Sequence, residues 1–113
     1  MADEIDLLRG TLDLFILKTL TWGPMHGLAI VRWIERVSES RLQVEEGALY
    51  PALHRMEQKG WLDAEWGLTD QNRRAKFYRL TRRGRAQLVG QTSTWERYVR
   101  AASLILAAQS AGT

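Results

Sequence analysis

Seven cations, Arg73, Arg74, Lys76, Arg79, Arg82, Arg83 and Arg85, fall in one short stretch of a chain whose lysines and arginines total 16. No carboxylate interrupts the run between Gln71 and Trp95. Such a stripe is the electrostatic footprint of a phosphate-binding surface, although a charge run by itself also fits a solvated face. The net charge of +3 mildly favours an acidic partner. Other chemistry finds little support. His26 and His54 are the only histidines, cysteine is absent, and no set of carboxylates stands at ligand spacing around either imidazole, so no metal site is expected. No glycine-rich phosphate loop, nucleophile elbow or supported histidine–carboxylate pair occurs, and neither catalysis nor a cofactor is expected. Glu45-Glu46 is better explained as acidic charge near a helix N-terminus.

The elements that must position the cations follow from periodicity. Leu8, Leu12, Phe15, Ile16 and Leu20 repeat at three- and four-residue spacings, giving a first helix that ends at Trp22-Gly23-Pro24. A second helix from about Gly27 to Ser38 carries the stripe Ile30, Val31, Ile34 and Val37. A third runs from about Glu46 to Lys59, with Pro51 near its first turn and Gly60 suited to a left-handed C-cap. Leu49, Ala52, Leu53 and Met56 share its inner face; Gly47, Pro51, His54 and Gln58 lie opposite, flanked by Tyr50 and Arg55.

Leu62, Ala64, Trp66 and Leu68 alternate with Asp63, Glu65 and Gly67, the period of a half-buried strand. Thr69 to Arg73 is a polar turn and Ala75 to Leu80 the returning strand, so a hairpin carries the basic cluster. Thr81 caps a last helix from Arg82 to about Gln109. Along that helix Leu88, Thr92, Trp95, Val99, Ala102 and Leu106 recur at alternating spacings of four and three. This heptad seam suits pairing with a second chain better than a small domain's own core.

Three helices, a hairpin and a further helix make a mainly α fold with a small β-hairpin, the winged helix-turn-helix. In that arrangement the third helix enters the major groove of double-stranded DNA. Gly47, Tyr50, Pro51, His54, Arg55 and Gln58 would then face DNA. Arg55 and Gln58 can hydrogen-bond base edges, while Tyr50 and His54 can reach bases or phosphates. The hairpin becomes the wing, setting Arg73, Arg74 and Lys76 against phosphates or the adjacent minor groove.

The sequence also closely resembles the PadR family of bacterial transcriptional regulators. The matching stretches are Gly10-Thr11-Leu12-Asp13-Leu14, Gly23-Pro24-Met25-His26-Gly27 and Gly47-Ala48-Leu49-Tyr50-Pro51-Ala52-Leu53-His54-Arg55-Met56-Glu57. Gly60-Trp61-Leu62, Arg74-Ala75-Lys76-Phe77-Tyr78-Arg79-Leu80-Thr81 and Gly84 follow. Leu28 departs from the tyrosine usual after the His-Gly pair, and a single helix after the wing resembles the short subfamily. The resemblance implies a homodimer built by the C-terminal helix, a third helix reading a palindromic operator, and repression relieved by a small molecule or another signal.

The expected organisation is therefore a winged-helix DNA-binding unit over 1–81 and a dimerisation helix with a short tail over 82–113. Leu12, Phe15, Leu88, Trp95, Val99, Ala102 and Leu106 are the expected dimer residues. Trp95, with Phe15 and Val99, can line a site for a small apolar or aromatic effector, or Trp95 can be a plain interface residue. Trp22, Trp33, Trp61 and Trp66 are expected as core or partly exposed packing residues. The acidic start, Met-Ala-Asp-Glu-Ile-Asp, is unlike a basic signal peptide, and Ala101 to Ala108 is too short for a membrane span. A cytoplasmic protein without membrane contact is expected. A winged helix serving as a protein-interaction module is the alternative, and the intact Arg73, Arg74, Lys76 cluster argues against it.

Overall fold

The computed structural model describes residues 10–111. Leu8, which heads the first apolar pattern, lies outside the described residues. In order the chain forms α1 (Thr11–Thr19), a 3₁₀ turn (Leu20–Trp22), β1 (Met25–His26), α2 (Gly27–Val37), α3 (Glu46–Gln58), β2 (Leu62–Leu68), β3 (Arg74–Leu80) and α4 (Arg82–Ala107). The strands make an antiparallel sheet ordered β1-β3-β2. This is the winged-helix arrangement expected from the hydrophobic periods. The unexpected element is β1, which pairs Met25 with Tyr78 and His26 with Phe77. Two residues are too few to leave an alternating signature.

The apolar stripes converge as their spacing requires. Ile16 and Leu17 of α1, Leu20 of the 3₁₀ turn, Ile30 and Ile34 of α2, and Leu49, Leu53 and Met56 of α3 meet Leu62, Tyr78 and Leu80 at the base of the sheet. Leu12, Phe15, Val31, Trp33, Trp61 and Leu88 pack around this cluster from half-buried positions. Burial pushes the Tyr78 phenol up, keeping it neutral as part of the core wall.

Three local details differ from the periodicity. The alternating face of β2 is buried only at its base: Leu62 is buried, whereas Trp66 and Leu68 are 57% and 64% exposed, because the hairpin runs past the helices that cover its root. Trp22 is likewise on the surface, with the Lys18 ammonium 5.5 Å from its ring. Pro51 sits in the second turn of α3, not the first, so Gly47 at i−4 lacks a helical donor there.

The joint between the wing and α4 is tightly specified. Thr81 Oγ1 accepts from Gly84 N at 3.0 Å and donates to the Gly60 carbonyl at 2.6 Å, with the Trp61 carbonyl at 3.0 Å. Gly60, with φ of 79°, ends α3 in the left-handed region. Gly84 approaches so closely that a Cβ there would lie 2.1 Å from the Trp61 carbonyl oxygen. Any larger residue must push α4 off the wing.

Beyond that joint α4 runs past α1, with Leu88 half-buried against the core, and its far end then leaves the body of the molecule. It spans 26 residues, about 39 Å of helix, ending at Ala107 rather than Gln109. The chain turns extended at Ala108, where the apolar run gives way to polar Gln109-Ser110. The radius of gyration is 16.5 Å, against about 13 Å for a compact chain of this length. Gly84 is the only fully buried residue of α4 among those described.

Candidate nucleic-acid interface

The outer face of α3 is open to solvent. Gly47, Tyr50, Pro51, His54, Arg55 and Gln58 are all exposed, while Leu49, Ala52, Leu53 and Met56 are buried beneath them. The helix is held by its apolar face and offers the other to solvent, the requirement for a helix that enters a groove.

Beside α3 lies a groove of about 730 Å³ between the first turn of α2 and the wing. Arg32, Arg73, Arg74 and Lys76 line it, against the one carboxylate of Asp70. His26 caps α2, its Nδ1 accepting from Ala29 N at 3.3 Å, and stands edge-on to Phe77 with ring centroids 5.4 Å apart. That contact ties the first turn of α2 to β3. Tyr50 closes the groove from the α3 side: a Cβ on Gly27 would lie 2.8 Å from its hydroxyl oxygen. Glycine at 27 is what lets α2 and α3 approach here.

The wing is a regular hairpin with Trp66 opposite Lys76 and Leu68 opposite Arg74. Its turn is closed by Thr69, whose N donates to Arg73 O at 2.8 Å and whose hydroxyl accepts from Arg73 N at 3.2 Å. Asn72, with φ of 62°, takes the left-handed position that asparagine tolerates best after glycine. Arg74 stacks on Trp66, its guanidinium carbon 4.9 Å from the ring. Stacking supports the arginine and leaves its N–H groups in the plane free to donate.

Two of the expected contact residues are engaged within the protein. Arg55 donates to Asp13 of α1, and Lys76 donates to Glu57 at the end of α3 at 3.0 Å. The Glu57 hydrogen bond is the chief reason the Lys76 ammonium titrates above the usual lysine range. Lys76 is therefore charged throughout the neutral range, and the pair's stabilisation is lost only as pH climbs through that raised value. The structure adds Arg32, Trp66 and Leu68 to the expected residues. Arg32 lies on the polar face of α2, where sequence alone does not distinguish it from any solvated arginine.

The dimer and effector residues divide. Trp95 stands over a second groove of about 680 Å³ with Leu14 of α1 and Gln91, Thr94 and Tyr98 of α4. The Trp95 and Tyr98 rings are 6.1 Å apart. Val99 lies with Trp95 along a shallower face of α4. Phe15 is not among the residues lining either, and packs on the core with Leu12 and Leu88. Ala102 is half-buried and Leu106 is 85% exposed at the far end. No helix of the described residues is long and apolar enough to cross a membrane.

The fold recurs among known transcriptional regulators. A transcriptional regulator of Mycobacterium tuberculosis is 33% identical over 93 residues, covering 81% of this chain and 82% of that protein. The solved structure of a transcriptional regulator from Clostridium thermocellum superposes with a TM-score of 0.77 at 26% identity, covering 84% of this chain and 92% of its own. A PadR-like transcription factor from Bacteroides fragilis gives a TM-score of 0.67 at 30% identity, covering 85% and 90%. Residues 16–89 match the model of the transcriptional regulator PadR-like family. With most of the chain inside that match, and α3 and the wing within it, this protein belongs to the PadR-like family of transcriptional regulators.

Proposed function

We propose that the chain is a homodimeric repressor that binds a pseudo-palindromic site on double-stranded DNA. The observation that carries the reading is convergence on one surface: the exposed face of α3, the cation-lined groove and the wing arginines all lie side by side. In this reading His54, Gln58 and Arg55 meet base edges, and Gly47 and Pro51 give close approach. Tyr50, Arg73, Arg74 and Lys76 serve the backbone or the adjacent minor groove.

Dimerisation follows from α4. Val99 is 40% exposed, and Leu104, Ile105 and Leu106 are 63%, 73% and 85% exposed in successive positions. A helix end apolar on every side needs a partner to cover it. A twofold pair along the heptad seam would set two α3 helices about 34 Å apart, one turn of DNA. The apolar groove at Trp95 and Tyr98 suits a flat aromatic effector that changes the angle between the paired helices and so releases DNA. Bound at a promoter, the dimer would exclude polymerase; no catalytic role is assigned, and a cytoplasmic location follows from the reading.

A mobility-shift titration against DNA upstream of the protein's own gene, at two salt concentrations with random-sequence DNA alongside, tests it. Tight binding that depends on the palindrome and weakens with salt is expected. Absence of binding to any duplex at low salt would overturn the reading in favour of a protein-interaction module.

A further inference from the structure

Arg55 and Lys76 reach their carboxylates across long stretches of sequence, 42 residues to Asp13 and 19 to Glu57. The pairs flank α3 on opposite sides, one toward α1 and one toward β3. The Asp13 side chain is 16% exposed and that of Arg55 47%, so the carboxylate sits low and the arginine leans down to it. Lys76 and Glu57 are evenly placed at 33% and 32%. Arg73 and Arg74, at the wing tip, have no carboxylate partner among the described residues.

Building on the DNA-binding reading above, we infer that Asp13 and Glu57 are specificity-determining residues: by holding Arg55 and Lys76 they weaken binding to random DNA more than binding to the operator. Non-specific affinity counts the phosphates that cations neutralise. A cation held by a carboxylate neutralises none until its ion pair breaks. On an arbitrary sequence, α3 has no complementary base edges, so each pair must be broken for each extra contact.

On the operator the balance of contacts differs. His54 and Gln58 are exposed on the outer face of α3, and Arg73 and Arg74 have no carboxylate to leave among the described residues, so the pairs can stay closed. Arg55 spends one of its donors on Asp13 and keeps the rest of its guanidinium fork for a base. The carboxylate then fixes where that fork points. Lys76 likewise spends one N–H on Glu57, holding β3 against α3, and keeps its other ammonium donors for the backbone or minor groove. The acids lower the sequence-independent part of the affinity and leave the sequence-dependent part intact.

The test compares wild type with Asp13→Asn, Glu57→Gln and a control, Asp63→Asn. Asp63 pairs with Arg79 at 3.4 Å on the exposed face of the hairpin away from Lys76, and its removal changes the charge equally. The probes are a duplex selected by the wild type from a random pool and an unselected duplex, titrated over a salt series. Asp13→Asn and Glu57→Gln should each bind unselected DNA about two- to five-fold tighter at low salt. Each salt slope should steepen by about one, with a smaller gain on the selected duplex. Asp63→Asn should leave the ratio between duplexes unchanged. In an Arg55→Gln background, Asp13→Asn should have no further effect, which separates release of the arginine from damage to α1.

Weaker binding of both duplexes, or an equal gain on both, would overturn the inference: the acids would be braces in the first case and plain negative charge in the second. A wild type that discriminates, with variants that do not differ from it, also overturns it while the DNA-binding reading stands. A wild type that binds neither duplex defeats that reading, and the inference with it.

Discussion

The three-helix head and α4 are built on opposite principles. In the head, Ile16, Leu17, Ile30, Leu49, Leu53 and Met56 are wholly inaccessible, each facing others across a few ångströms of core. In α4, the longest element, only Gly84 is buried, and Leu104, Ile105 and Leu106 at its end are largely exposed. The head satisfies its own hydrophobic surface and can present a polar face to DNA without loss. The last helix leaves hydrophobic surface uncovered, the property on which the proposed subunit contact rests. One region closes the fold within a chain; in the proposed dimer the other finds its complement in a second chain.

Substitutions can sharpen or break this contrast, and they rank by how much stability each region contributes. Leu53→Ala in the head should cost about 2–5 kcal/mol of unfolding free energy by denaturant titration; a cost near zero would mean that the core is not shared across α1, α2 and α3. At the joint, Gly84→Ala sets a methyl against the Trp61 carbonyl and should cost about 1–3 kcal/mol, with DNA affinity falling as α4 shifts. Thr81→Ala removes the cap of α4 and should cost about 1 kcal/mol; Thr81→Ser should recover most of it.

Farther along α4 the effect should change kind. Ile105→Ser with Leu106→Ser should leave the head's spectroscopic signature intact and raise the dimer dissociation constant in sedimentation. Equal sedimentation of the two proteins would remove the subunit role from this end. The smallest effect on stability, within about 0.5 kcal/mol, is expected for Arg73→Gln with Arg74→Gln at the wing. There the loss should show only on DNA, as uniformly weaker binding and a salt slope reduced by about two.

The contrast also explains what could be read from sequence. Helices and strands with a buried face announce themselves, because Leu49, Ala52, Leu53 and Met56 must recur at helical spacing to be buried together. Thr81 could be placed as a cap from its position ahead of a helical pattern. The exposed outer face of α3 follows by subtraction. Contacts across the fold leave no such trace: nothing in the spacing of Asp13 and Arg55, or Glu57 and Lys76, marks them as partners. Burial of β2 only at its root, and exposure of Trp66 above it, depend on where the helices end against the hairpin. Periodicity along one strand carries no record of that.

The proposed dimer holds two heads at a fixed separation through paired α4 helices. Its most direct test is affinity for a selected palindromic duplex as the spacing between half-sites is varied, with stoichiometry measured in parallel. Two chains per duplex, and a fall to the random-DNA level when about five base pairs, half a helical turn, are inserted, are predicted. One chain per duplex with affinity indifferent to spacing would contradict it.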